Sequence, residues 1–284
     1  VDYEALGELI EWYIQKGVYG LFAVCQSSEM VYLTLEERVG IAKFVVDNVQ
    51  GRIPVISSGH ISESIEDQIK EINSIAKTGV EAVVLVSSRI AAKDESDEVW
   101  KNNVESILKK IPQEVKLGFY ECPFPYKRLI SPELLKWCAD TGRFLFLKDT
   151  SCDIDNIRAK LKAVEGTGLK IYNANTATLL ETLRDGVSGY SGVMANFHPD
   201  LYVWLVNNFE KEPQKANDLI SFLSLASVIE LQLYPVNAKY TLQLEGLNIG
   251  LNTRSNDASL LTSSKKLENE HLFKLTKKYR NEYL

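Results

Sequence analysis

The sequence predicts an α/β protein with a parallel sheet, and two observations carry this prediction. Seven short apolar runs recur along the first two-thirds of the chain at intervals of about thirty residues, the length of a strand-helix-strand unit. The runs are nearly continuous rather than alternating, as expected for strands that helices cover on both faces. They lie near Gly20 to Val24, Ile53 to Ile56, Ala82 to Val86, Val115 to Tyr120, Phe144 to Leu147, Leu169 to Tyr172 and Gly189 to Val193.

The segments between the runs carry the start signals of helices. Thr34-Leu35-Glu36-Glu37 has the arrangement of a capping box, and Ser131-Pro132-Glu133 places a capping residue before a proline at the first helical position. A further helix is expected to begin within the segment from Ile61 to Glu66. The C-terminal part of the chain is predicted to be helical, including Pro213 to Leu233 and Val236 to Leu244, and to pack onto the sheet.

Seven strands and a helical tail favour a TIM (β/α)8 barrel with a C-terminal helical extension. A doubly wound sheet more often shows a glycine-rich phosphate loop, and neither GxGxxG nor GxxxxGK[ST] occurs in the chain. Because the chain opens with a predicted helix, we expect the first strand to precede Val1, in an N-terminal segment that this sequence lacks. An open seven-stranded sheet is the alternative. The predicted division is a barrel domain over residues 1–197 and C-terminal helices over 198–284.

Composition restricts the possible partners. The chain has 284 residues, 45% apolar and 25% charged, with a formal net charge of −6, which argues against a nucleic-acid binder because phosphate recognition needs a basic surface. We find no apolar run of bilayer length and no secretory signal, so no membrane partner and a cytoplasmic location are expected. The four cysteines lack CxxC spacing, which indicates reduced thiols rather than a disulfide framework or a zinc site.

Lys148 is the residue most informative about function. It follows the apolar run Phe144 to Leu147 directly and precedes Asp149. A buried ammonium is costly unless it is paired, so this position indicates either an ion pair, for instance with Asp149, or a reactive amine. An ordinary lysine, with a pKa of about 10.4, is almost fully protonated at neutral pH, whereas burial favours the neutral amine that attacks carbonyl groups.

Other polar residues stand at the ends of the predicted strands, where a barrel builds its active site. Tyr120 ends the strand before that of Lys148, and the turn Gln26-Ser27-Ser28 follows the first strand. Ser191 lies on the last strand. His60 follows the second strand, and we interpret it as a hydrogen-bonded turn histidine rather than as an acid-base group.

Three of these segments occur in a recognisable order. They read Cys25-Gln26-Ser27-Ser28-Glu29, Tyr120-Glu121-Cys122-Pro123 and Phe146-Leu147-Lys148-Asp149. Together they resemble the G-[TS]-T-G-E, Y-N-x-P and G-[IL]-K-[ED] stretches of the dihydrodipicolinate synthase and N-acetylneuraminate lyase family, the class I pyruvate-dependent aldolases. The helix start Leu33 to Arg38 is similar to the family's L-[ST]-x-E-E-R, and the resemblance runs from Val1 through at least Asn196.

The resemblance implies roles for individual residues. Lys148 would form a Schiff base with pyruvate or another 2-oxo acid, and Tyr120 would relay protons. Ser27 would hold the carboxylate of this substrate, with Gln26, Ser28 and Ser191 as further substrate-binding candidates. This chemistry requires no metal and no organic cofactor. Family members are commonly homotetramers, so the resemblance also implies a homo-oligomer, either a tetramer or a dimer.

The chain departs from the family at positions that affect specificity. Gln26 replaces a threonine, and the region matching a tyrosine that the synthases use reads Ser88-Arg89-Ile90. Pro125 stands where the synthases place an arginine that binds a second carboxylate; Arg89 and Arg128 are candidates to replace its charge. We therefore expect a Schiff-base lyase or aldolase acting on another 2-oxo acid adduct. The alternatives are dihydrodipicolinate synthase proper and a non-catalytic relative that binds a 2-oxo acid.

Overall fold

The computed structural model describes residues 1–284 and contains one seven-stranded sheet with the strand order β1-β2-β3-β4-β5-β6-β7. The pairs from β1 to β6 are parallel. All seven predicted runs are confirmed as strands, with ends trimmed or extended by a few residues. The strands are β1 (Leu21–Ala23), β2 (Val55–Ser57), β3 (Ala82–Val86), β4 (Leu117–Tyr120), β5 (Phe144–Asp149), β6 (Lys170–Asn173) and β7 (Gly189–Tyr190).

Helices alternate with these strands and then form the C-terminal part of the chain. Short 3-10 helices supplement them at Gln26–Ser28, Met30–Tyr32, Val193–Asn196, Ser227–Ile229 and Ala258–Leu260. The α-helices are α1 (Tyr3–Gln15), α2 (Leu35–Val49), α3 (Ile65–Ala76), α4 (Ser87–Ile90), α5 (Asp97–Leu108), α6 (Pro132–Asp140), α7 (Ile154–Ala163), α8 (Leu179–Arg184), α9 (Pro199–Asn208), α10 (Pro213–Ala226), α11 (Glu230–Leu233), α12 (Val236–Leu244) and α13 (Ser263–Tyr283).

The chain forms two compact units. Residues 20–189 make the sheet unit, with β1 to β6 and α2 to α8, and residues 1–19 and 190–284 make the helical unit, with α1 and α9 to α13. The predicted boundary between residues 197 and 198 stays a prediction.

Local sequence signals explain where the helices of the sheet unit begin. The Thr34 hydroxyl accepts the Glu37 N–H at 3.2 Å, and the Glu37 carboxylate accepts the Thr34 N–H at 2.9 Å, so the predicted capping box of α2 is confirmed. Ser131 caps α6 ahead of Pro132, also as predicted. Ser64 caps α3, inside the segment in which a helix start was expected.

The sheet is strongly curled. Phe22 on β1 and Phe146 on β5 have ring centroids 5.9 Å apart, although four strand spacings of about 4.8 Å would separate these strands by about 19 Å in a flat sheet. The Phe22 ring also lies 5.9 Å from that of Tyr120 on β4. Side chains on the inner face of the curled sheet therefore meet one another, as they do inside a barrel wall.

The outer face of the sheet packs against the helices. Phe119 on β4 stacks on Phe144 of β5 at 4.5 Å, and Trp100 of α5 lies 5.2 Å from Phe119. All three side chains are fully or almost fully buried. This aromatic layer belongs to the core between sheet and helices, where burial of large rings contributes most to stability.

A β-bulge in β5 determines which face of the sheet Lys148 reaches. Leu117 pairs with Phe144 but Gly118 pairs with Phe146, so Leu145 is an extra residue in β5. The bulge leaves Phe144 on the outer face and turns Phe146, two residues later, to the inner face. By strand alternation Lys148 shares the face of Phe146.

The bulge requires a glycine opposite it. A Cβ atom on Gly118 would lie 2.9 Å from the Phe146 Cβ and 3.0 Å from the Phe146 carbonyl oxygen. Any side chain at this position would therefore push β5 away from β4. Gly118 thus permits the close approach of the two strands whose ends carry Tyr120 and Lys148.

The helical unit is held by its own charged network. The Asp200 carboxylate binds Lys16 at 3.0 Å and Arg280 at 2.8 Å, and Glu245 binds both of the same cations. These contacts join α1, α9 and α13 to the end of α12. Nearby, complete burial lowers the pKa of His198 to about 3, so this histidine is neutral.

One stretch of the helical unit resembles a membrane span in length and composition alone. Pro213–Leu233 has a mean hydropathy of 1.2 over its most apolar window, and 17% of that window is buried. The stretch comprises α10, a 3-10 turn and α11. A single such helix is weak support for a membrane span, and the expectation of no membrane partner stays a prediction.

Candidate active site

Lys148 and Tyr120 meet at the ends of neighbouring strands. They are register partners on β5 and β4, and both are buried, with exposed fractions of 7% and 5%. The Lys148 Nζ lies 4.7 Å from the centre of the Tyr120 ring and 5.9 Å from that of Phe22. The structure thus brings the two predicted catalytic residues together, with the amine set against aromatic rings on the inner face of the sheet.

Gln26 contacts the tyrosine. Its side-chain oxygen accepts a hydrogen bond from the Tyr120 hydroxyl at 3.2 Å and another from the Cys122 thiol at 3.2 Å. Burial raises the pKa of the Cys122 thiol, which keeps it protonated and able to donate. Gln26 therefore orients Tyr120 directly, and its expected contact with substrate stays a prediction.

The predicted serines of the site have different positions. Ser27 and Ser28 are half-buried and lie with Gln26 in the short 3-10 helix after β1, where the Ser28 hydroxyl accepts the Cys25 N–H at 3.3 Å. Ser28 thus stabilises the turn itself. Ser191 is half-buried in the helical unit, just after β7. Substrate binding by these serines stays a prediction.

A cluster of three buried charges, which the sequence analysis missed, lies directly beside the candidate site. The Lys160 Nζ on α7 binds Glu121 Oε1 and Asp149 Oδ2, each at 2.6 Å, and all three side chains are completely buried. Glu121 and Asp149 follow Tyr120 and Lys148 in sequence and therefore project to the opposite face of the sheet. We call Lys160, Glu121 and Asp149 the buried charge cluster.

The electrostatics of this cluster are dominated by burial. Loss of solvent raises the pKa of Glu121 to about 7; the neighbouring Lys160 ammonium opposes the rise and the Asp149 carboxylate adds to it. The other Asp149 oxygen, Oδ1, accepts the N–H and the hydroxyl of Ser151 at 2.8 and 2.6 Å. Both oxygens of Asp149, the carboxylate considered from sequence as a partner for Lys148, are thus bound by Lys160 and Ser151.

One signal in the sequence could have found this cluster. Ile157 and Lys160 are the buried residues of α7, three positions apart, so the lysine occupies a core-facing position of an amphipathic helix. A lysine there requires a buried carboxylate as its partner. Which carboxylates reach this lysine depends on how α7 packs against the sheet, and the local sequence does not determine that packing.

His60 is confirmed as a hydrogen-bonded turn histidine. Its Nδ1 accepts the Val86 N–H at 3.0 Å, so Nε2 carries the proton and donates to Gln68 Oε1 at 3.0 Å. Complete burial lowers its pKa to about 4. Gln68 in turn donates to the carbonyl of Arg89 at 2.7 Å, so His60 joins the ends of β2 and β3 as a neutral group.

Comparison with known proteins assigns the chain to a family. The profile of the dihydrodipicolinate synthetase family matches residues 1–274. The chain belongs to the dihydrodipicolinate synthetase family. The 4-hydroxy-tetrahydrodipicolinate synthase of Psychrobacter arcticus is 26% identical over 253 residues, which cover 87% of this chain and 81% of that protein. The Bacillus subtilis protein of the same name is 26% identical over 255 residues, covering 88% and 85%.

A solved structure supports the fold. YagE from E. coli, described as a member of the dihydrodipicolinic acid synthase family in complex with pyruvate, superposes with a TM-score of 0.87 at 21% identity. The superposition covers 98% of this chain and 93% of YagE. The predicted α/β barrel class and the resemblance to this family are therefore confirmed.

Arg89 and Arg128, the two arginines that could supply the charge missing at Pro125 in this member of the dihydrodipicolinate synthetase family, differ in their contacts. Arg128 donates to the carbonyls of Ala92 and Glu95 at 2.9 and 3.0 Å and binds Asp97 at 3.1 Å, so it holds its own loops together. The Arg89 guanidinium lies 5.9 Å from the Phe124 ring and forms one long ion pair, at 3.5 Å, with the exposed Glu63. Its charge is therefore held by fewer close contacts than that of Arg128.

Proposed function

We propose that this protein is a Schiff-base-forming lyase or aldolase that breaks or makes a carbon-carbon bond next to pyruvate or a related 2-oxo acid. The observation that carries the proposal is the Lys148 amine, buried at the end of β5 and 4.7 Å from the ring of Tyr120 on the adjacent strand. The complex of YagE with pyruvate supports a 2-oxo acid as the ligand class.

In the proposed reaction the neutral Lys148 amine attacks the C2 carbonyl of the 2-oxo acid. The carbinolamine that forms loses its hydroxyl as water, which leaves an iminium between Nζ and C2. The C4 hydroxyl gives up its proton, the iminium accepts the electron pair of the C3–C4 bond as that bond breaks, and an aldehyde departs. The resulting enamine takes up a proton at C3, and water then releases pyruvate from Lys148. Bond formation follows the same steps in reverse.

Tyr120 is the proposed proton carrier for these steps. Because its hydroxyl donates to Gln26, the hydroxyl oxygen can accept a hydrogen bond from a group on the substrate. The Gln26 amide oxygen carries no proton that it could pass onward. Proton transfer through Tyr120 in this protein is therefore proposed to occur directly with substrate or water.

The second substrate is proposed to differ from that of the synthases. Pro125 offers no charge, and the guanidinium of Arg128 is bound by loop carbonyls and Asp97. Arg89 remains as a candidate to hold a second carboxylate, close to Phe124 in the loop after β4. Dihydrodipicolinate synthase proper is the second candidate function, and the names of the curated relatives support it.

The test is reductive trapping. The folded protein is incubated with pyruvate and borohydride, and intact and peptide mass spectrometry should locate one 1-carboxyethyl group on Lys148. The variant Lys148→Arg, which keeps the positive charge but loses the nucleophile, is the matched control. A folded wild-type sample without an adduct, for pyruvate and for longer 2-oxo acids, would sink the proposal of Schiff-base catalysis.

Turnover assays then separate the candidates. Release of pyruvate from sugar acids or from N-acetylneuraminate supports the lyase, whereas consumption of pyruvate with aspartate semialdehyde supports the synthase. A ligand-dependent rise in melting temperature without turnover of any aldol supports the non-catalytic relative. The homo-oligomeric and cytoplasmic character of the protein remains part of the same proposal, and light scattering on the purified protein tests the oligomeric state.

A further inference from the structure

The buried charge cluster lies directly behind the proposed catalytic pair. Glu121 and Asp149 are the next residues after Tyr120 and Lys148, and the Glu121 N–H donates to the Lys148 carbonyl at 3.2 Å. A backbone hydrogen bond therefore joins the ends of β4 and β5. Lys160 joins the same two strand ends through the side chains of Glu121 and Asp149. A single planar peptide unit therefore separates each of these carboxylate residues from its neighbour in the proposed catalytic pair.

The cluster also fixes the segments that follow the strands. Glu121 Oε1 accepts the Ile130 N–H at 2.8 Å, which anchors the far end of the loop from Cys122 to Leu129. Glu121 Oε2 accepts the Thr150 N–H at 3.3 Å, and the Thr150 hydroxyl donates back to the Glu121 carbonyl at 2.5 Å. One carboxylate thus holds both the loop after β4 and the turn after β5.

Stability alone is a poor explanation for such a cluster. Two carboxylates and one ammonium, all removed from water, incur a desolvation penalty that apolar residues of similar volume would not. Glu121 stands where the family motif Y-N-x-P has a neutral asparagine, and Lys160 supplies the charge that this replacement requires. A charged arrangement of this kind has directional contacts that fix geometry more narrowly than apolar packing does.

We propose that Lys160, through Glu121 and Asp149, is a positioning residue that sets the Lys148 amine against Tyr120 and anchors the end of the loop after β4 at Ile130. This inference rests on the proposed function, because positioning is meaningful only if Lys148 reacts. The inference assigns a role in catalysis to Lys160, which lies on the outer face of the sheet. Lys160 contacts no substrate in this proposal and acts only through the two carboxylates.

The experiment compares Lys160→Met with the wild type in the trapping reaction at increasing pyruvate concentrations. We expect the adduct rate at saturating pyruvate to fall about tenfold or more, because displacements of about 1 Å in a reacting pair have effects of this size. The half-saturating pyruvate concentration should change by less than about twofold, since the variant alters positioning rather than uniform binding. A rate at saturation equal to that of wild type, in a folded variant, would overturn the inference.

Arg38→Met is the matched control. Arg38 also forms a buried ion pair, with Glu71 at 2.7 Å in the same unit, but this pair joins α2 to α3 and has no hydrogen bond to β4 or β5. We expect Arg38→Met to lower the melting temperature while the adduct rate per folded molecule stays within about twofold of wild type. If Arg38→Met slows the reaction as much as Lys160→Met does, the effect is one of general stability and the inference fails.

Two further variants keep the test decisive if Lys160→Met does not fold. Glu121→Gln/Lys160→Met restores the net charge of the cluster and should react about threefold or more faster than Lys160→Met, or remain folded where that variant does not. Glu121→Gln alone keeps the acceptor for Ile130 and should show a smaller fall in rate at saturation. Wild-type rates in every folded member of this set would contradict the inference.

The positioning role and the proposed function can fail separately. If the wild type forms no adduct, Schiff-base catalysis fails, and hydrogen exchange of the Ile130 and Thr150 amides then reports on the cluster itself. Selective loss of protection at these two amides in Lys160→Met, relative to Arg38→Met, supports the geometry of the inference. Unchanged protection in Lys160→Met overturns it.

Discussion

The two faces of the sheet at the ends of β4 and β5 differ in what surrounds their charges. On the inner face, the Lys148 amine faces the rings of Tyr120 and Phe22. On the outer face, the Lys160 ammonium is bound by two carboxylates at 2.6 Å each. Both lysines are buried, so burial by itself does not identify a reactive amine. The difference lies in the partners.

Strand alternation allows neighbouring residues to have these two roles. In each of the pairs Tyr120-Glu121 and Lys148-Asp149, the first residue reaches the inner face and the second reaches the outer face. The proposed chemistry and its proposed support therefore occupy adjacent positions of the same strand ends. Substitutions on the two faces should therefore differ in their effects on catalysis and on stability.

The largest effect is expected on the inner face. Lys148→Met should abolish the borohydride-trapped adduct completely, because no other amine is set against Tyr120. The free energy of unfolding should fall by no more than about 1 kcal/mol, since methionine suits aromatic surroundings. Mass spectrometry and urea denaturation check the two parts. A large loss of stability would mean that Lys148 is a structural residue like Lys160.

Replacing the lysine of the outer face by methionine should cost much more stability than the same replacement at Lys148. Lys160→Met should lower the free energy of unfolding by about 3–5 kcal/mol, because it leaves two buried carboxylates without their cation. Lys136→Met is the control, since Lys136 pairs with Asp140 where both are half-exposed, and it should change stability by less than about 0.5 kcal/mol. Equal stabilities of Lys160→Met and Lys136→Met in urea would remove the distinction between the faces.

Tyr120→Phe should retain the fold and slow turnover. Removing the hydroxyl that is proposed to carry protons should reduce the rate about 100-fold, the usual size of an acid-base contribution. Tyr172→Phe is the control, because Tyr172 packs on Phe146 at 5.0 Å and burial raises the pKa of its hydroxyl, which keeps it protonated. Pre-steady-state trapping and turnover assays measure both variants. Similar rates for the two would remove Tyr120 from its proposed role.

Low pH should remove the contribution that the neutral, buried His60 makes to the stability of the fold. The pKa of His60 in the folded protein is lowered to about 4, below the ordinary value of 6.5, so its contribution to stability is present above pH 6.5 and is lost as pH falls toward 4. The raised pKa of Glu121 acts in the opposite direction. Between pH 7 and pH 5, wild type should lose about 2 kcal/mol more than His60→Asn, which keeps an acceptor for the Val86 N–H. Urea denaturation at the two pH values measures this difference; parallel losses in both proteins would contradict it.

The smallest effect is expected at the turn after β1. Gln26→Ala removes the acceptor for the Tyr120 hydroxyl, and one such hydrogen bond is worth about 1 kcal/mol, so turnover should fall about fivefold. Ser28→Ala, in the same turn, is the control for loosening of the backbone. A loss at Ser28 as large as that at Gln26 would show that the turn, rather than the amide, positions the tyrosine.

Local sequence signals predicted much of the scaffold and placed three candidate site residues at strand ends. Apolar runs located all seven strands, and the capping residues Thr34 and Ser131 located helix starts, because strand burial and helix capping depend on residues close in the chain. The order of motifs carrying Gln26, Tyr120 and Lys148 predicted a site at the strand ends, and the structure brings these three together.

Other features depended on contacts between distant segments. The Leu145 bulge, which turns Lys148 inward, requires the approach of Phe146 to Gly118 across two strands. The partners of Lys160 lie 39 and 11 residues away and meet it only when α7 packs on the sheet. By itself the sequence determined which elements form and which residue types stand at strand ends, because those properties are local. Only the tertiary structure decided which lysine is bound by carboxylates and which faces aromatic rings, because charge pairing in a core is set by packing.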